Sequence, residues 1–474
     1  MSNPLDVDFA RRYIKEHLDK RQVNKIQHGF PSPRFWTETA VPVSDVLGDR
    51  RNLWAMGLGK PINLYVGVPY CIKTDPGKCG YCLFPVEDFV GNDELLTYFS
   101  YLKREAAMYK EALEGLTLGE VYFGGGTSNL YKAAMYPELM RIVRDLFPDV
   151  GPEADITLEG IPQLFTREKL KAIKDSGMNR ISMGVQQINE RLNSLSGRKQ
   201  TTQHVVQTLE WAREYGLSAN VDLIFGWPQQ TVQTMVRDLE TIISWGVHDI
   251  THYELNVGGP SDFALNRYHE LPSALSNLEM YRVSRDLLQS HGFRQLTAYN
   301  WRKPGDPTGS RYQEAVLRGF GGLDTVGLGY AAITFFGDAA LEDGRCWSYM
   351  NWRNLHEYKA AIDRHTFPVE CGFRHAREDF EIFMVFRNLF GLELDREAYQ
   401  SAFGMDVYSQ FAGVWDALAE RGFATVARGK IALTGDGPFY TPMVQALLAE
   451  GRYRDLRERV VRQAKIGELP VLSN

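Results

Sequence analysis

Between residues 63 and 256 the chain repeats one unit six times, a short apolar run followed by a stretch with helical periodicity. The runs are NLYVGVP (63–69), GEVYFGGG (119–126), DITLEG (155–160), NRISMGVQ (179–186), SANVDLIFGWP (218–228) and HDITHYELN (248–256). Helical stretches follow the first five near 92–113, 134–147, 166–176, 201–215 and 231–245. Short β-rich runs alternating with helices form a parallel sheet of βαβ units, and we read the runs as buried on both faces. Six units at roughly thirty-residue spacing predict an α/β fold, a partial (β/α)6 barrel of the TIM type over residues 61–340. Chemistry in such a barrel gathers at the C-terminal ends of the strands. The unusual stretches of the sequence fall there: cysteines after the first run, GGGTS after the second, EG after the third, GVQ after the fourth and DLIFGWP on the fifth.

Three of the five cysteines, Cys71, Cys79 and Cys82, cluster as C-x7-C-x2-C directly after the first run. Five is a sparse and odd count, which speaks against a secreted disulfide framework. Three readings of the trio stand: chance buried thiols, a zinc site, or an iron–sulfur site. Structural zinc closes with four N or S ligands, yet no histidine lies between Cys71 and Cys82, and the nearest are His28 and His204. Cys346 and Cys371 stand alone and read as small buried apolar residues. Four cysteines normally hold an iron–sulfur cluster, so three leave one iron open to a ligand from outside the chain. The insertion DPGK between the first two cysteines suits a tight turn, since Pro fixes φ and Gly tolerates φ > 0.

Other strand-end residues carry signals of their own. Gly124, Gly125 and Gly126 offer a backbone without Cβ atoms, which a ligand can approach closely, with Thr127 next as a hydrogen-bonding hydroxyl; an ordinary turn is the alternative. Glu159 ends the third run and needs a cationic or hydroxyl partner. Asp222 sits in an otherwise apolar strand, where it meets an arginine or binds sugar hydroxyls. Composition narrows the class: 53 Lys+Arg against 59 Asp+Glu give a charge of −6 and no electrostatic case for nucleic acid. No segment nears the ~18 apolar residues of a membrane span. The amphipathic charged start lacks a signal-peptide core, so a cytoplasmic protein is expected.

YVGVPYC…CGYC, FGGGTSNL, NRISMGVQ, VDLIFGWP and DTVGLGYAAITFFGD (324–338) together resemble the radical S-adenosylmethionine (SAM) superfamily. Within it the chain resembles the oxygen-independent coproporphyrinogen III oxidase group, including its methyltransferase and cyclopropanase branch, over most of residues 60–340. The resemblance implies a [4Fe–4S] cluster on Cys71, Cys79 and Cys82, whose fourth iron SAM chelates, and reductive cleavage of SAM to a 5′-deoxyadenosyl radical. It implies two SAM molecules in one cavity. Tyr65, Gly125, Glu159 and Ile333 would line the first, and Tyr81, Gly126, Thr127, Gln186, Arg198 and Asp222 the second, with Gly124 beside them and Glu254 a further candidate. Tyr81 would stack on a ligand or shield the cluster. It also implies an electron donor such as flavodoxin or ferredoxin, a monomer, and a small winged-helix-like helical domain over 341–474.

Two departures bear on the substrate. The family spaces its cysteines C-x3-C-x2-C, and it has histidine where this chain has Gly67. Residues 1–60 form an N-terminal extension whose QHGFPSPRFW (27–36) crosses the barrel mouth as a substrate cover or packs outside. The RYTSYPT-like segment of the oxidases is missing. Three functions remain: radical transfer of a methyl or methylene unit to an aromatic or unsaturated substrate, oxidative decarboxylation of a tetrapyrrole, or heme chaperoning. The sequence favours the first, and the second SAM set speaks against the third.

Overall fold

Six parallel strands stand where the alternation places them: β1 (Ile62–Val68), β2 (Leu118–Gly125), β3 (Ile156–Gly160), β4 (Arg180–Gln186), β5 (Ser218–Phe225) and β6 (Asp249–Glu254). Each pairs in parallel with the next. This computed structural model describes residues 6–22, 29–75, 77–151, 154–305, 324–341 and 344–465, so Gln27, His28 and Pro76 lie outside the described residues. The crossover helices are Asn92–Leu113, Tyr136–Leu146, Arg167–Ser176, Thr202–Glu214 and Val232–Ser244. Three of them begin at threonines, Thr166, Thr201 and Thr231, whose side chains accept the N3 backbone N–H and satisfy an otherwise orphaned donor.

The strands are not apolar on both faces. Their helix-facing positions are: Leu64, Val66, Val121, Phe123, Leu158, Ile181 and Val221 are each at most 1% exposed. The alternate positions turn into the lumen and are polar: Asn63 and Tyr65, Glu120 and Tyr122, Arg180 and Ser182, Asn220 and Asp222. Period-2 alternation sends successive side chains to opposite faces. A TIM barrel fills its lumen with branched apolar layers; here the polar side chains line a cavity.

The sheet runs on past the six strands. Beyond β6 lies β7 (Asn300–Arg302), antiparallel to it. Beside β1 runs β8 (Thr325–Gly329), parallel, followed by antiparallel β9 (Ile333–Phe336), β10 (Cys346–Asn351) and β11 (Val369–His375). The sheet therefore crosses position 340, and its twelve strands form a linear order with two free edges, an open barrel. The helix Arg377–Phe390 then lies over the sheet, buried on nearly all sides. The C-terminal helices surround a three-stranded antiparallel sheet (Glu393–Asp395, Lys430–Leu433, Ala424–Val426).

The N-terminal part is fastened to this C-terminal part. Arg11 of the helix Val7–His17 donates to Glu420 at 2.8 and 2.5 Å, and the Tyr440 hydroxyl donates to the Leu18 carbonyl at 2.9 Å. Glu38 and Gly372 exchange backbone hydrogen bonds of 3.0 and 2.7 Å. Among the described residues no helix is long and apolar enough to cross a membrane.

Candidate functional site

The cysteine loop leaves the end of β1 and is clamped to the end of β2. Gly126 N–H donates to Val68 O at 2.7 Å and Thr127 N–H to Tyr70 O at 2.8 Å. The approach is so close that a Cβ on Gly126 would stand 2.3 Å from the Tyr70 carbonyl oxygen, and one on Gly125 2.7 Å from that of Val68. Gly125 also has φ +105°, which glycine alone adopts without strain. Its neighbour Gly124 faces the Glu159 carboxylate, 2.8 Å from where a Cβ would lie. Close approach does explain the glycine run, but at Gly125 and Gly126 the approaching group is the chain's own cysteine loop.

Cys71 lies in a two-residue strand, Tyr70–Cys71, paired with Glu87–Asp88. Its Sγ is 3.1 Å from Thr127 Oγ1. Cys79 and Cys82 are joined by a Cys82 N–H to Cys79 O hydrogen bond of 2.8 Å. Within the widened loop Thr74 and Gly77 exchange backbone hydrogen bonds of 3.0 and 2.6 Å, and the turn packs on Gly197, next to Arg198. The extra residues thus alter the rim on one side and leave the thiols together. Burial pushes all three thiols up in pKa, and each feels the charge of another; the Arg198 guanidinium works in the opposite direction on Cys71 and Cys79.

These half-buried thiols interact, yet among the described residues no three His, Cys, Asp or Glu converge on a single-ion position. A closed zinc site would draw its ligands to about 2.3 Å from one point, whereas a cube seats each thiolate on a different iron. Three mutually interacting thiols are the donor set that a cluster with one open iron takes. Cys346 and Cys371 lie apart, on β10 and β11.

Arg198 joins the cysteines to the barrel. It donates to the Tyr81 hydroxyl at 3.0 Å, to the Gly184 carbonyl at 2.5 Å and to Gln200 Oε1 at 3.1 Å. Tyr81 packs its ring on Trp227 and Phe263, with centroids 5.1 and 6.3 Å away. The aromatic residue between the last two cysteines is therefore anchored in protein. Gln186 ends β4 with φ +67°, a left-handed conformation rare outside glycine, and its side-chain amide lies over Gly184. Glu159 is held by the Tyr122 hydroxyl and the Gly125 N–H, while burial raises its pKa to about 8. Asp222 accepts from Ser182 at 3.1 Å and Asn220 at 2.7 Å; burial pushes it up, and Arg180 among others works against that.

A cavity of about 610 Å³ opens beneath this constellation, with Tyr65, Asp222 and Ile333 on its wall. Tyr65 stacks on Tyr122 at 6.3 Å, and its hydroxyl lies beside Gly125, so cavity and cysteine loop adjoin. The outer wall is apolar and comes from Phe30, Pro31 and Trp36 of the proline-rich segment and from Phe383 and Phe390 of the helix Arg377–Phe390. Glu254 is not brought in: it accepts from Asn277 at 2.8 Å, and Tyr253 lines the cavity instead. Sequence reasoning missed Tyr122, Ser182 and Arg180, although strict alternation in GEVYFG and NRISMG marks them.

At Gly67 a Cβ would stand 2.7 Å from the Tyr330 carbonyl oxygen. The Tyr98 hydroxyl donates to Gly67 O at 2.5 Å and accepts from Tyr330 N–H at 2.9 Å. The family's histidine has no room there.

Residues 76–242 match the radical SAM superfamily. The chain is 26% identical over 365 residues to an oxygen-independent coproporphyrinogen III oxidase of Helicobacter pylori, covering 74% of this chain and 77% of that one. It is 26% identical over 439 residues to the oxidase of Pseudomonas aeruginosa, covering 87% and 88%. Among solved structures, coproporphyrinogen III oxidase from Escherichia coli superposes with a TM-score of 0.76 at 22% identity, over 90% of this chain and 97% of that one.

Proposed function

We propose that this chain, a radical SAM enzyme similar to the oxygen-independent coproporphyrinogen III oxidases, removes carboxyl groups oxidatively from a propionate-bearing tetrapyrrole. Its cofactors are a [4Fe–4S] cluster and SAM. When bound, they supply one electron and a 5′-deoxyadenosyl radical that takes a hydrogen atom from the substrate. Cys71, Cys79 and Cys82 would hold the cluster. Tyr65, Gly125, Glu159 and Ile333 would hold the SAM on it, and Tyr81, Gly126, Thr127, Gln186, Arg198 and Asp222 a second one. The chain's own part is to bind and enclose: Phe30, Trp36 and Phe383 wall the cavity that Tyr65 also lines and would exclude water from it. Each propionate that becomes a vinyl group loses one hydrogen atom, one carbon dioxide and one electron, and the electron leaves to an external acceptor.

The observation that carries this reading is that Tyr65, Asp222 and Ile333, which we assign to SAM, line the same cavity as Phe30, Trp36 and Phe383. Transfer of a methyl or methylene unit, the first expectation from the sequence, keeps the altered rim at Gly197 in its favour. The oxidase name of relatives matching 74% and 87% of the chain weighs for decarboxylation.

Anaerobic reconstitution should give about four irons per chain, and SAM with dithionite should yield 5′-deoxyadenosine. Cys79→Ala should abolish both; SAM cleavage surviving that change refutes the ligand assignment. With coproporphyrinogen III and methyl-labelled SAM, release of carbon dioxide supports decarboxylation, and label in the product supports carbon transfer.

A further inference from the structure

Four arginines among the described residues are at most 9% exposed: Arg50, Arg180, Arg198 and Arg302. Arg50 pairs with Asp324, and Arg302 with Asp249 at 2.7 Å. Arg180 lines the barrel cavity and Arg198 lies beside the cysteine loop, and among the described residues neither forms an ion pair. Arg198 makes three hydrogen bonds, to a hydroxyl, a carbonyl and an amide, and its Nε is left without a partner. Arg180 has less. Its Nη1 reaches the Thr157 hydroxyl at 3.3 Å, and its Nε is buried without a partner. Asp222 feels its charge without touching it.

A guanidinium taken out of water with no carboxylate in contact and with incomplete hydrogen bonding is costly to the fold. A bound carboxylate can supply what the chain does not. Arg180 is on the wall of the 610 Å³ cavity, which the amides of Asn63 and Asn220, the charged Glu120, Asp222 and Arg387, and the rings of Phe30, Trp36 and Phe383 also line. The planar fork of an arginine matches a carboxylate through two parallel N–H···O bonds. A ligand with an apolar body and a carboxylate arm suits both the rings and the guanidinium.

We propose that Arg180 binds a carboxylate of the ligand held in the barrel cavity. This rests on the reading that the cavity receives a carboxylate-bearing substrate together with SAM. Two sources share the chemistry, a side-chain carboxylate of the substrate and the methionyl carboxylate of SAM, and the first matches the apolar cover better.

The test is equilibrium binding to the anaerobically reconstituted holoenzyme, with coproporphyrin III, its tetramethyl ester and SAM as probes. Arg180→Gln is expected to weaken coproporphyrin III about tenfold or more, and Arg180→Lys less, because the charge stays while the fork is lost. The ester should bind wild type and Arg180→Gln alike. A tenfold loss confined to SAM assigns the carboxylate to the cofactor instead. Wild type binding acid and ester equally, with SAM affinity unchanged in Arg180→Gln, overturns the proposal, and the wild-type comparison needs no folded variant. Failure of the decarboxylation reading shows separately, as absent carbon dioxide release by a wild type that still distinguishes acid from ester.

Discussion

Gly126 illustrates how single residues set this site. Its missing Cβ lets the end of β2 lie against the Tyr70 carbonyl, one residue before the first cysteine. Gly126→Ala forces the loop outward, at about 1–3 kcal/mol typical of overpacking. Because the obstacle is backbone, the loop itself must move, and Cys71 with it. The expected result is a chain that still folds, with a lowered urea midpoint, and that binds clearly less than the wild-type iron on reconstitution; full iron content would show that the clamp does not position Cys71. The sequence announced three glycines at a strand end and suggested a ligand's approach, but could not say that the nearest neighbour is the chain itself. Arg180 was hidden for a related reason. Its pattern, polar at every second position of NRISMG, is plain, but an apolar-run reading absorbs such residues unless alternation is tested first.

At the scale of elements, Glu105 ties the helix Asn92–Leu113 to the strands beside β1. Its carboxylate accepts from Gly329 N–H of β8 at 2.7 Å, from Asn351 of β10 at 2.6 Å and from the Tyr358 hydroxyl at 2.6 Å. All three partners donate, so the group serves as a pure acceptor. Burial nevertheless raises its pKa from 4.5 to about 7, and the three donors only partly oppose that. A carboxyl held more tightly protonated in the fold than in the unfolded chain lends stability that is fully present below about pH 4.5. That contribution fades as the pH rises through 7, by about 3 kcal/mol in all. Glu105→Gln does not titrate. Urea unfolding should therefore show the stability of wild type relative to Glu105→Gln falling between pH 5 and pH 8, and a constant difference would contradict the linkage. The six strands and five helices were legible because their periodicities are local. The Glu105 contact spans more than 220 residues, and no local pattern encodes it.

The whole molecule closes its barrel with its own two ends. The segment from Gly29 to Trp36 is roofed onto the lumen, with the Phe30 ring packed 5.4 Å from Phe386 and 5.0 Å from Tyr453. The Trp36 indole N–H donates to Pro31 O at 3.0 Å. The sequence offered two places for this proline-rich stretch, over the mouth or against the outside, and composition could not choose between them. Phe30 packs between C-terminal helices, 1% exposed and on the cavity wall, and whether the segment serves as a cover for substrate is a question for its removal. Removing residues 1–36 should therefore act at two places at once. Losing Phe30 alone strips one aromatic side chain from a packed site, a change of about 3–5 kcal/mol, and the helices that flanked it gain exposed apolar surface. Limited proteolysis of the truncated chain should cut within 377–465 faster than in the full chain, while the six strands stay protected. In the reconstituted enzyme the open cavity should hold substrate loosely and admit buffer and reductant, from which the radical can take its hydrogen atom. 5′-Deoxyadenosine would then form with little substrate product, a ratio well above that of the full chain. A truncated protein that couples SAM cleavage to product as tightly as the full one would place the segment outside the chemistry, as packing and nothing more.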